Sequence, residues 1–190
     1  LVTFPLSFNI ALATALVPAV SAAKARGDYK SIKKRVSFAI LITILIGLPC
    51  SVGMVVFAKP ILQMLFPNAS SGEFIFQISS ISIVFITLEQ TINGALQGLG
   101  KIKVPVIALS IGVSIKLILN LILVKVNPDS FVLGGVAGAA FATVMCHVIS
   151  MFISLIALSK NIKIKFDLSK YFIKPILASS SMGIIRNIYI

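Results

Sequence analysis

Long apolar stretches separated by short polar gaps make up most of the 190-residue chain. Six are readable, at 1–23, 36–58, 74–100, 104–124, 131–159 and 175–190. Most reach the roughly 20 residues a helix needs to cross a hydrocarbon core about 30 Å thick. The runs are apolar nearly all round, so they lack the one-sided 3.6 periodicity of a helix lying on a soluble core. Strands of a membrane barrel would alternate over about 10 residues, and that alternation is missing. The pattern predicts an all-α polytopic bundle in the membrane. Turn-forming residues fill two of the gaps, at 66–72 and around Asn127-Pro128-Asp129. The segment 59–66, apolar and opened by Lys59-Pro60, is expected to form a short interfacial helix continuing from the second span.

Composition supports this class. Hydrophobic residues make up 58% and charged residues 12% of the chain, with a mean hydropathy of +1.08. An ordinary soluble domain is about 45–50% apolar. The net charge of +12 would suggest a nucleic-acid partner in a soluble protein. Here thirteen of the 17 Lys and Arg fall in alternate gaps. Lys24, Arg26, Lys30, Lys33, Lys34 and Arg35 follow the first run, Lys101 and Lys103 the third, and Lys160, Lys163, Lys165, Lys170 and Lys174 the fifth. The other two gaps hold only Lys59 and Lys125. The positive-inside rule places the thirteen in the cytoplasm, which makes most of the charge a topology signal and argues against nucleic acid as a partner.

Cys50 and Cys146 both lie within spans and read as small buried apolar residues. No phosphate loop, Cys-His metal spacing, paired aqueous carboxylates or nucleophile elbow is present, so no enzymatic activity and no cofactor are expected. The polar content of the third and fourth runs stands out instead. Glu89, Gln90, Asn93 and Gln97 share one run, with Glu89, Asn93 and Gln97 at i, i+4 and i+8 and therefore expected on one helix face. Lys116 and Asn120 form a second i, i+4 pair. Ionisable groups facing lipid are costly, so these faces are expected to point inward. Glu89 lies 12 residues before Lys101, and Lys116 lies 13 after Lys103. The matched depth in consecutive spans suggests a Glu89–Lys116 ion pair, with His147 at a similar level. Two readings remain open for this layer: a pair that only braces two helices, or a polar cavity near the midplane where a transporter places its sites. His147 reads as a neutral hydrogen-bonding core residue.

Other features concern packing. Gly134-x-x-x-Gly138 and the alanines 11, 13, 15 and 19 allow close helix approach. Pro5, Pro18 and Pro49 fall within expected helices.

The order of landmarks carries a family resemblance. Phe4-Pro5, Ala13-Thr14-Ala15-Leu16-Val17-Pro18-Ala19-Val20 and the basic Lys24-Ala25-Arg26-Gly27-Asp28 segment resemble the start of the second half of MurJ-like lipid flippases. Leu48-Pro49, the segment from Lys59-Pro60 to Leu65-Phe66, and Asn93-Gly94-Ala95-Leu96-Gln97-Gly98-Leu99-Gly100-Lys101 followed by Pro105 continue the match. The asparagine-glycine to glycine-lysine block is most similar to the stage V sporulation protein B branch. The resemblance implies a lobe of the MATE-like exporter superfamily. It further implies alternating-access transport of a lipid-linked oligosaccharide or peptidoglycan precursor across the bacterial inner membrane, for a wall or spore cortex. The chain starts at Leu1 inside an apolar run and stops after 16 residues of the last. It is therefore expected to be a single membrane-domain fragment, with an N-terminal lobe of the same protein and membrane lipids as partners. The family's cavity arginines have no counterpart in the first span. A coupling ion or the membrane potential would drive transport. The rival readings are a cation-coupled multidrug exporter of the same superfamily and a non-transporting membrane scaffold.

Overall fold

The computed structural model describes residues 3–65, 72–125 and 135–162. They form α1 (Thr3–Ala25), α2 (Tyr29–Val56), α3 (Ala58–Leu65), α4 (Glu73–Gly98), α5 (Lys103–Leu123) and α6 (Val136–Asn161). All except α3 are long and apolar enough to span a membrane. The short α3 follows α2 almost directly, in the place expected for an interfacial helix. The expected run at 175–190, the turn residues at 66–71, Asn127-Pro128-Asp129 and Gly134 lie outside the described residues.

One boundary differs clearly from the hydropathy pattern. Helix α2 begins at Tyr29, seven residues before the apolar run, so Lys30, Lys33, Lys34 and Arg35 occupy its first two turns. Asp28 caps this start by accepting a 2.9 Å hydrogen bond from Ser31 N–H, which satisfies one of the free donors of the first turn. Lys and Arg are good helix formers, so the helix extends past the end of the apolar run.

The two tight turns at the basic end are built alike. After α1, Asp28 N–H bonds to Ala23 O and Gly27 N–H to Lys24 O; after α4, Lys101 N–H bonds to Leu96 O and Gly100 N–H to Gln97 O. Each is a Schellman cap whose glycine takes the left-handed conformation, with φ of 68° at Gly27 and 74° at Gly100. Lys24 then reaches across to donate a 2.6 Å hydrogen bond to Leu99 O, tying the two caps together.

Helix α4 is the centre of the bundle. It packs on α1, α2 and α6, while α5 packs on α6 and hardly touches α4. Lipid tails are as apolar as leucine, so such contacts hold through close packing and buried hydrogen bonds. A Cβ at Gly94 would lie 2.6 Å from Ala13 O, and one at Gly98 would lie 2.8 Å from Val17 O. This Gly94-x-x-x-Gly98 pair lets the parallel helices α1 and α4 meet backbone to backbone. On the α2 side, Ala39, Thr43, Gly47 and Ser51 recur every four residues and are all buried. They run antiparallel to α4, with Thr43 against Thr91, Gly47 against Thr87, and Ser51 bonded to Ser80 O. Gly112 seats α5 on α6, where a Cβ would lie 2.7 Å from Cys146 O. Val20, Ile32, Val36, Ile92, Leu96 and Leu158 fill the core near the basic end.

Candidate functional site

The polar residues of α4 divide between two faces. On one face, Gln90, Asn93 and Gln97 join Ile10, Ala13, Thr14 and Val17 of α1 in lining an open groove of about 260 Å³. Gln97 is exposed, and Gln90 and Asn93 are half-buried. The Oδ1 atom of Asn93 is buried and has no hydrogen-bond partner among the described residues. Thr14 returns its hydroxyl proton to its own helix, donating to Ile10 O and Ala11 O. The groove therefore offers amide donors and acceptors between apolar walls, suited to a ligand with hydroxyl or amide groups.

Glu89 points the other way, toward α6. It is 5% exposed. Its Oε2 lies 2.8 Å from His147 Nδ1, and its Oε1 accepts a short hydrogen bond from Ser150 Oγ. The expected common face of Glu89, Asn93 and Gln97 is thus split. Glu89 and Asn93 are four residues apart, but the boundary between the α1-facing and α6-facing sides of α4 runs between them.

The expected Glu89–Lys116 ion pair does not form. Lys116 is half-buried on α5 and has no ion pair among the described residues. The short α4–α5 connection places the two helix ends together, yet α6 lies between the helices and takes the contact with Glu89. Asn120, one turn beyond Lys116, keeps a buried Oδ1 without a partner among the described residues, as does the hydroxyl of Ser154 on α6. His147 makes the hydrogen bond expected of it, and its partner is the Glu89 carboxylate. In the basic segment, Lys24 caps α4, Arg35 Nε donates to Ser31 Oγ, and Arg26, Lys30 and Lys34 are exposed while Lys33 is half-buried.

A further polar cluster escaped the sequence reading. Asn9, 4% exposed in α1, donates to Thr87 O at 2.8 Å and to Gln90 Oε1 at 3.2 Å. Its Oδ1 accepts from Thr43 at 3.0 Å and from Thr91 at 3.3 Å. The two threonine hydroxyls are 2.7 Å apart. This single amide links α1, α2 and α4 directly behind the groove and holds Gln90 in place. A lone Asn in an apolar run and the four-residue repeat from Ala39 to Ser51 were its signals.

A family model described as Lipid II flippase MurJ matches residues 1–188. The chain belongs to the MurJ family. Among curated relatives, this MurJ-family chain is 34% identical over 136 residues to the uncharacterized membrane protein YabM of Bacillus subtilis (strain 168), covering 72% of this chain and 24% of that protein. It is 27% identical over 191 residues to the lipid II flippase MurJ of the same organism, covering 97% of this chain and 34% of the flippase. It is also 27% identical to the probable low-salt glycan biosynthesis flippase Agl15 of Haloferax volcanii, over 86% of this chain and 33% of Agl15. The chain thus spans about a quarter to a third of the length of these relatives. The fold matches an inward-facing multidrug resistance MATE family transporter of the MOP superfamily, with a TM-score of 0.66 at 18% identity, over 81% of this chain and 36% of that one. Family, helical fold and comparisons agree on a multi-pass protein of the cell membrane with a MATE-like lobe.

Proposed function

We propose that this MurJ-family chain supplies part of one lobe of a flippase that carries a lipid-linked oligosaccharide or peptidoglycan precursor across the membrane by alternating access. The observation that carries the reading is the family match over 1–188. The α1–α4 groove supports it and gives the chain its part in the reaction. Gln90, Asn93 and Gln97 offer hydrogen bonds to a sugar or peptide headgroup, Thr14 lines the wall beside them, and the lipid tail stays in the bilayer. Transporter sites lie where repeats or bundles face each other, so the other lobe of the parent protein would close this groove into a cavity. Lys116 and Asn120 are not among the residues lining the groove and take no part in headgroup binding in this reading. The basic end, from Lys24 to Arg35, meets anionic headgroups at the cytoplasmic surface.

The test is made in the full-length parent. Its depletion, in a strain without redundant flippases, is expected to accumulate precursor on the cytoplasmic leaflet and block assembly of a wall or spore cortex. Unchanged precursor distribution with raised sensitivity to cationic drugs would replace this reading with drug export, and no change in either would favour a scaffold. Asn93→Leu and Gln97→Leu each remove one headgroup hydrogen bond, worth about 0.5–1.5 kcal/mol. Each is expected to slow precursor transport several-fold in proteoliposomes while thermal stability is retained.

A further inference from the structure

Glu89 and His147 face away from the groove, so headgroup binding makes no use of them. A carboxylate within a membrane span needs a compensating partner, and carboxylate–histidine chains are a common way of moving protons through membranes. Glu89 meets the chain's sole histidine at hydrogen-bond distance. The carboxyl side chain is 6% exposed and the imidazole 23%. The histidine is therefore the accessible member and the carboxylate the sheltered one. Ser150 fixes the second carboxylate oxygen. The other titratable groups near this contact are Cys146 on α6 and Lys116 on α5; Glu89 and Lys116 both lie within electrostatic reach of the Cys146 sulfur. Across α4, α1 and α2 present the uncharged Asn9 and Thr43 at this depth. Cys50 lies further out, beside the Ser51–Ser80 contact.

We propose that Glu89, His147 and Ser150 form a proton-binding site in which the proton is carried on His147 Nε2 against the Glu89 carboxylate, and that its occupancy sets how tightly α6 is held to α4. The two ring nitrogens divide the work. Nδ1–H donates to Glu89 whether the imidazole is neutral or charged, and Nε2 takes or releases the proton. No heavy atom has to move for loading. The change is in charge: unloaded, the contact carries the negative charge of Glu89, with Lys116 the nearby cation among the described residues. Loaded, it is a hydrogen-bonded ion pair in which the imidazolium offsets the carboxylate's charge within the span, where an uncompensated charge is costly. Loading therefore tightens the α4–α6 contact and unloading loosens it. Because α4 also forms the groove, proton occupancy on one side of the helix can be linked to the groove on the other. The site rests on side-chain geometry and does not depend on the cargo.

The test reads protonation without transport. In the purified full-length parent, spin labels at Phe74→Cys on α4 and Val136→Cys on α6, both exposed positions near the same end of the bundle, report the spacing of these helices. As the pH is lowered, the shorter-distance population is expected to grow with the slope of a single proton. His147→Asn places an amide donor near the position of Nδ1, keeping the bond to Glu89 without a titrating group, and should make the distances independent of pH. Glu89→Gln keeps the imidazole but removes the ion pair formed on loading, and should weaken the response. Ser150→Ala should shift the midpoint and keep the one-proton slope. A wild-type protein whose distances do not respond to pH overturns the proposal, as does an unchanged response in either of the first two variants. Failure of precursor transport would bear on the cargo and leave this measurement unaffected.

Discussion

At Asn9 a single side chain uses both ends of its amide within an otherwise apolar span. Its Oδ1 accepts from two threonines on two helices, and its Nδ2 donates to Thr87 O and Gln90 Oε1. Replacing it with leucine removes all four contacts and leaves Gln90 without its anchor. Thr43 and Thr91 retain each other and backbone acceptors on their own helices, which limits the penalty. Leaving one or two buried polar groups poorly satisfied costs about 1–3 kcal/mol. Asn9→Leu in the full-length parent is therefore expected to lower the unfolding midpoint in detergent by several degrees. Thr43→Val, which removes one hydroxyl from the network, should cost less. Equal losses from the two would show that the amide is not the hub. Glu89 illustrates how a residue can be recognised from sequence while its partner is not. An acidic residue within a span signals an inward-facing group, because lipid cannot solvate it. Its distance from Lys101 gave depth along the helix but not the direction around it, and that direction selects His147 over Lys116.

The helices themselves were legible because each has to be apolar over the thickness of a membrane, a constraint written locally in every span. Their ends were less legible where capping governs them, as Asp28 does at the start of α2. Their neighbours were least legible. The consecutive spans α4 and α5 were expected to pack side by side, yet α5 hardly touches α4 and lies on α6, where Gly112 admits Cys146 closely. That preference is decided by the fit of two surfaces and leaves little trace in hydropathy. The small residues that set these approaches make a direct prediction at this scale. Gly94→Ala would place a methyl 2.6 Å from Ala13 O, and Gly98→Ala one 2.8 Å from Val17 O. Both obstacles are backbone atoms of a packed helix, so α1 and α4 must separate, and overpacking of this kind typically costs about 1–3 kcal/mol. Gly53→Ala meets nothing within 4 Å, and alanine is favoured over glycine in a helix by roughly 1 kcal/mol. Thermal unfolding of the three variants should show losses at 94 and 98 and no loss at 53. A loss at Gly53 equal to the others would point to a general intolerance of α-helix substitutions rather than to helix contact.

Charge and packing specify the same end of the whole molecule. Lys24 joins the end of α1 to the end of α4, and Ile162, just past α6, packs in one core with Ile32 and Val36 of α2 and with Leu99. The ends of α1, α4 and α6 and the starts of α2 and α5 therefore gather on one side. That side carries Lys24, Arg26, Lys30, Lys33, Lys34, Arg35, Lys101, Lys103 and Lys160, whereas Lys59 and Lys125 lie toward the other. Basic loops are retained in the cytoplasm during insertion, and anionic lipids on that leaflet attract them once there. A cysteine-free full-length parent allows this orientation to be checked with single cysteines. Lys34→Cys, exposed in the first turns of α2, is expected to react with a membrane-impermeant thiol reagent only after the cells are opened. Gln63→Cys, exposed on α3, should react in intact cells once the wall is permeable to the reagent. The opposite pattern would reverse the orientation. The α1–α4 groove would then open on the other side when its basic end is free, and loading of headgroups from the cytoplasm would have to enter through the end occupied by α3.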